Sequence, residues 1–116
     1  MEIEAILSKI DFEKIEGLIP VITQDYKTGD LLMLGFADKE CLEKSLREGK
    51  VVYWSRTRKK PWMKGETSGN CQEIKEVWLD CDNDSVLIKV KQIGNVCHTG
   101  NKTCFFKKIY ENNTGN

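Results

Sequence analysis

Only one stretch of this 116-residue chain carries signals for both ends of an ordinary helix. Asp38 is a natural N-cap, Cys41, Leu42 and Leu46 follow at roughly helical spacing, and Gly49 supplies the stop. The other apolar residues fall mainly in short runs broken by turn residues, so most of the core has to come from strands. Residues 20–26 and 31–36 are β-like runs around Lys27-Thr28-Gly29-Asp30, which reads as a hairpin. Residues 51–55 form a short apolar-aromatic strand, 73–81 a loosely alternating one and 86–93 a cleaner one, with Asn83-Asp84 as the turn between the last two. Residues 105–110 predict a final short strand. Ile3, Ile6, Leu7 and Ile10 predict a short N-terminal helix that Gly17 ends. The expected class is α+β, mostly antiparallel β with one central helix and a short N-terminal helix. Residues 1–110 are expected to form one domain and 111–116 a frayed polar tail.

The 18 basic and 18 acidic side chains cancel. This argues against bulk nucleic acid or an anionic membrane as the main partner, and any anion site must be local. No apolar run approaches the roughly 20 residues a membrane helix needs. Glu2 and Glu4 stand where a secretory signal would be basic and then apolar, so the expected compartment is the cytoplasm. Five cysteines without an export signal speak against a disulfide framework. Cys41 and Cys71, away from other candidate ligands, read as small buried hydrophobes.

Three clusters carry chemistry. In Asp80-Cys81-Asp82-Asn83-Asp84 a continuing strand would put the aspartates on one face and Cys81 on the other. Carboxylates suit a hard cation and a thiolate a softer one. A straight strand would spread Asp80 and Asp84 over about 13 Å, so the chain must curl at Asn83 if all three bind one ion; otherwise this is a solvated acidic turn. In the second cluster Cys97 and Cys104 lie seven positions apart around the only histidine, His98. Two thiolates do not close a tetrahedral site; Cys81 can supply a third, and three protein ligands plus water is the pattern of catalytic zinc. His98 is then a ligand or a general acid/base.

The third cluster is the polar stretch 56–70, expected to be a long loop. It has five cations in nine residues, Arg56, Arg58, Lys59, Lys60 and Lys64, with Trp54-Ser55 before them and Trp62 among them. Ser68, Gly69 and Asn70 follow. Hydroxyls and backbone amides there can cradle phosphate, and tryptophan can stack on a purine. A basic surface loop or a local RNA patch has the same composition. Glu66, the only acid of the stretch, fits better as a catalytic or hydrogen-bonding group near a reacting base.

Taken with Val21-Ile22-Thr23-Gln24-Asp25, Thr28-Gly29 and Leu32-Met33, these motifs resemble the phosphoribosyl-AMP cyclohydrolase family of histidine biosynthesis. The resemblance spans about residues 18–106. It implies a hydrolase that opens the adenine ring of a phosphorylated nucleotide at N1–C6. It also implies a zinc site from Cys81, Cys97 and Cys104, a magnesium site from Asp80, Asp82 and Asp84, and an interlocked homodimer in which Cys81 reaches across to Cys97 and Cys104 of the other subunit. Gly35-Phe36-Ala37-Asp38, Pro61 and Cys71 depart from the usual family residues, and none of them is an implied ligand. Two other classes share some of these features. A zinc-stabilised nucleic-acid module is opposed by the neutral charge and Glu66. A nucleobase deaminase would carry an H-x-E and P-C-x-x-C pattern, which is absent.

Overall fold

The computed structural model describes residues 2–112. In chain order the elements are helix α1 (Ile3–Leu7), strands β1 (Ile19–Asp25) and β2 (Leu31–Ala37), helix α2 (Lys39–Glu48), and strands β3 (Val52–Ser55), β4 (Lys60–Met63), β5 (Gln72–Leu79) and β6 (Val86–Gln92). The architecture is α+β. Four strands form one sheet in the order β2-β1-β6-β5, and β3 and β4 form a separate hairpin. All pairings are antiparallel except β1 with β6, which run parallel.

Helix α2 forms as its end signals predict. The Asp38 carboxylate accepts the Cys41 N–H at 2.8 Å, and Gly49 closes the helix in the left-handed region at φ 74°. Its inward face buries Cys41, Leu42, Ser45 and Leu46 against Ile19, Val21, Leu32, Ile88 and Val90 of the sheet. Each such large aliphatic side chain contributes about 1.5–3 kcal/mol on burial. The Ser45 hydroxyl satisfies two backbone groups, donating to Cys41 O and accepting from Val52 N, each at 2.8 Å, and so ties α2 to β3. Cys41 is buried, as expected, and burial pushes its thiol up to about 12; Cys71 is only half-buried.

Tyr53 of β3 fills the space over β2. Its hydroxyl donates to Gln72 Oε1 at 2.6 Å, which satisfies a fully buried amide. A Cβ at Gly35 would come within 2.5 Å of the Tyr53 ring. Glycine at that point of β2 is what allows the ring to lie flat against the strand.

Three expectations are corrected. Helix α1 stops at Leu7 rather than near Gly17. Asp11 ends any continuation, because its carboxylate takes the Glu13 N–H at 2.9 Å and its own N–H goes to Asn83 O at 2.7 Å. The 56–70 stretch is not all loop, because Lys60–Met63 pairs with β3. Pro61 is tolerated there because a two-stranded hairpin consists of edges only. Residues 105–110 form no strand. Phe105-Phe106-Lys107-Lys108-Ile109-Tyr110 has apolar and charged pairs instead of alternation, so neither strand face would be apolar throughout. Of the 111–116 tail, residues 113–116 lie outside the described residues.

Candidate active site

The β3–β4 hairpin presents the basic cluster. Its four-residue turn is closed by Lys59 N–H to Ser55 O at 2.7 Å and by Arg58 N–H to the Ser55 hydroxyl at 3.2 Å. Arg56 and Arg58 are exposed at this tip, and the Arg56 guanidinium lies 4.1 Å from the centre of the Phe36 ring. The register pairs Tyr53 with Trp62 and Trp54 with Pro61. Adjacent strand residues point to opposite faces, so Trp62 stacks toward Tyr53, with ring centres 5.5 Å apart, while Trp54 occupies the other face. The two tryptophans therefore do not sandwich one ring within a chain.

After β4 the chain turns tightly through residues 64–71. Gly69 N–H reaches Gly65 O at 2.7 Å, and the Ser68 hydroxyl accepts from Asn70 N at 3.1 Å. Gly65 sits at φ 84°, and a Cβ there would fall 2.4 Å from the Asn70 carbonyl carbon and the Cys71 nitrogen. Only glycine fits this turn. Ile93 N–H to Cys71 O at 2.9 Å and Gln92 Nε2 to Asn70 O at 3.3 Å stitch the turn to the segment leading into the cysteine loop. Lys64 completes the junction by donating to Val96 O. Glu66, Ser68 and Gly69 are exposed on the turn, and Lys64 and Asn70 are half-buried.

The far end of the cysteine loop is anchored on β2 and the residue before it. Cys104 N–H bonds Leu32 O at 2.8 Å, the Thr103 hydroxyl bonds Leu31 O at 2.7 Å, and Lys102 pairs with Asp30 at 2.8 Å. These contacts fold the loop back on the start of β2 and bring Cys104 near enough to Cys97 for each thiol to shift the other's titration. Thr99 Oγ1 bonds Cys97 Sγ at 3.0 Å; this hydroxyl, then the Thr99 backbone N–H, with the Lys64 charge adding to them, holds the Cys97 thiol below its usual range. Burial, then the neighbouring Cys97, pushes the Cys104 thiol up. His98 is exposed beside them.

Strand β5 ends before the acidic motif. Asn83 at φ 66° curls the chain, and one oxygen each of Asp80, Asp82 and Asp84 lie within 4.8 Å of one another. Desolvation pushes the Asp80 carboxyl up, but N–H donation from Asp84 and Ser85 at 3.0 and 3.1 Å outweighs it and holds the group low. Hydrogen bonding to Asp84 and then Asp80 pushes Asp82 up. Three crowded carboxylates repel one another, which a hard cation relieves; facing thiols suit a softer ion. The carboxylate set fits a hard cation, and the two thiols supply only part of the donor set of the softer ion that the family resemblance implies. Among the described residues, the aspartates are the only three His, Cys, Asp or Glu ligands so gathered, so exposed Cys81 does not join Cys97 and Cys104 within one chain.

The structure thus unites the 64–71 turn and the Cys97–Cys104 loop. A cavity of about 460 Å³ lies elsewhere, between α1, α2 and β5, and none of the predicted site residues lines it. Sequence reasoning missed two residues. Thr99 lay inside the cysteine motif without a role, and Lys14, on the acidic turn at 3.4 Å from Asp84 Oδ2, carried no signal at all.

A basic hairpin tip, a glycine-containing turn and a cysteine loop held against that turn, with a separate acidic cluster, make a candidate site for an anionic small molecule. The comparisons particularise that class. The family profile described as phosphoribosyl-AMP cyclohydrolase matches residues 33–106. A protein of that name from Clostridium botulinum (strain 657 / Type Ba4) is 50% identical over 109 residues, covering 94% of this chain and 99% of its own. Another, from Geotalea daltonii, is 56% identical over 101 residues, covering 86% and 80%. A third, from Clostridium beijerinckii, is 50% identical over 109 residues, covering 94% and 100%. The chain belongs to the phosphoribosyl-AMP cyclohydrolase family, a family of hydrolases. Among the described residues, no helix is long and apolar enough to cross a membrane.

Proposed function

We propose that this chain hydrolyses phosphoribosyl-AMP in histidine biosynthesis, opening the adenine ring at the N1–C6 bond, and that it does so as a cytoplasmic homodimer. The observation that supports this reading is the cysteine loop held against the 64–71 turn, through Ile93 N–H to Cys71 O, Gln92 Nε2 to Asn70 O and Lys64 to Val96 O, in a chain of this family. Cys97 and Cys104 of one subunit and Cys81 of the other would hold zinc, and Asp80, Asp82 and Asp84 would hold magnesium. When bound, zinc supplies acidified water, with its pKa lowered from 15.7 toward about 7.

The protein's own groups do the rest. Ribosylation at N1 makes C6 electrophilic. The water oxygen bonds to C6, and His98 accepts one of its protons. As N1–C6 breaks, the bonding pair goes to N1 and His98 returns the proton there; the second water proton passes from the oxygen to the exocyclic nitrogen, which leaves C6 as a carboxamide beside a formamidine. Glu66 hydrogen-bonds the reacting base. Trp54 and Trp62 supply aromatic surface on opposite faces of the hairpin. Arg56, Arg58 and Lys64, with Ser55, Ser68, Gly69 and Asn70, hold the phosphates and ribose.

The test is an ultraviolet assay of ring opening on phosphoribosyl-AMP, before and after zinc chelation. The reading expects activity that disappears on chelation and returns with added zinc. Full turnover by protein verified to be zinc-free contradicts it.

A further inference from the structure

We propose that Lys14 is the built-in counter-ion of the acidic turn, and that a divalent cation engages Asp82 and Asp84 only by displacing its ammonium. The inference rests on the reading that Asp80, Asp82 and Asp84 bind such a cation. Lys14 lies between α1 and β1, 66 positions before Asp80 in the chain, yet it is held in place. Three residues earlier, Asp11 N–H bonds Asn83 O at 2.7 Å, docking the segment on the turn. From there Lys14 Nζ donates to Asp82 O at 3.0 Å and lies 3.4 Å from Asp84 Oδ2 and 3.7 Å from Asp82 Oδ2. One ammonium therefore meets three oxygens from one side of the cluster.

The remaining carboxylate is already engaged, because Asp80 Oδ1 accepts the N–H groups of Asp84 and Ser85. Asp82 and Asp84 are the carboxylates left to draw in a cation, and Lys14 already sits against the Oδ2 atom of each. An ammonium and a divalent cation cannot share them at 3–4 Å without strong repulsion. With 43% of its side chain exposed, Lys14 can swing into water and yield the place. It holds the turn together when cation is scarce and raises the concentration at which the cation binds.

The experiment titrates Mn²⁺ into zinc-replete full-length protein and follows free Mn²⁺ by electron paramagnetic resonance, so that the thiols are already occupied. Lys14→Gln should bind Mn²⁺ about three- to tenfold more tightly than the unsubstituted protein at low salt, with the gap narrowing as ionic strength rises. Lys14→Arg, which keeps the charge, should retain the weaker affinity. Asp84→Asn should remove this binding in either background. Asp84-dependent binding of equal or lower affinity in Lys14→Gln overturns the role of Lys14 alone. Mn²⁺ binding indifferent to Asp84, or none at all, overturns both that role and the cation-site reading.

Discussion

Asp80, Asp82 and Asp84 gather within 4.8 Å inside one chain, whereas Cys97 and Cys104 meet as a pair with Cys81 elsewhere. The difference lies in how each group is built. The carboxylates are alternate residues of one turn, so a single left-handed residue, Asn83 at φ 66°, brings them together. The thiols stand at the two ends of a loop that has to be pinned to β2 through the Leu31 and Leu32 carbonyls. The acidic group is local and complete in the monomer. The sulfur group depends on tertiary structure, and on our reading is finished only by a second chain.

The largest effect separating the two should come from Cys104→Ala. It should abolish zinc retention and lower turnover by at least about 10³-fold, while Mn²⁺ binding at the aspartates persists; metal analysis alongside the ultraviolet assay checks both halves. Asp80→Ala should do the reverse, weakening Mn²⁺ binding about tenfold or more and loosening the turn, with zinc content unchanged.

Gly35→Ala attacks the scaffold of only one group. The new methyl meets the Tyr53 ring, and the overpacking should cost about 1–3 kcal/mol in denaturant unfolding. Because β2 anchors the cysteine loop, zinc affinity should fall before Mn²⁺ affinity does.

The smallest effect concerns a turn built like the acidic one, in which the second acid, Asp30, is paired with Lys102. Asp25 Oδ1 accepts from Thr28 N at 3.0 Å and Lys27 N at 2.9 Å; the Thr28 N–H first of all, working against slight desolvation, holds this carboxyl below its ordinary 3.8. A depressed folded-state value gives stabilisation that is fully present above pH 3.8 and lost as pH falls through the lower folded value. Asp25→Asn should therefore cost less than about 1 kcal/mol at pH 7, since the amide oxygen of asparagine can still accept the same N–H groups, and the difference should vanish in acid. Thermal melts across that pH range read it out.

What the sequence disclosed follows the same division between local and tertiary. Helix α2 was legible because Asp38 and Gly49 mark its ends by their own chemistry. The β1–β2 and β5–β6 hairpins were legible from alternation and turn residues, and the need for a curl at Asn83 followed from strand rise alone. Strand β4 was hidden because Lys60 and Pro61 disguise a four-residue strand whose only evidence is its partner. The parallel β1–β6 pairing, the Ile93–Cys71 stitch and the grip of Lys14 on Asp82 join residues far apart in the chain, where periodicity has nothing to register. The expected strand at 105–110 failed because paired charges replace alternation.

If Cys81 of one subunit completes the Cys97–Cys104 pair of the other, co-expressed Cys81→Ala and Cys104→Ala chains should complement each other. Each homodimer should be inactive, while a mixed dimer keeps one intact site, so random pairing should restore about a quarter of the unsubstituted activity. A mixture that stays as inactive as its separate components, despite verified mixed dimers, would contradict a shared site.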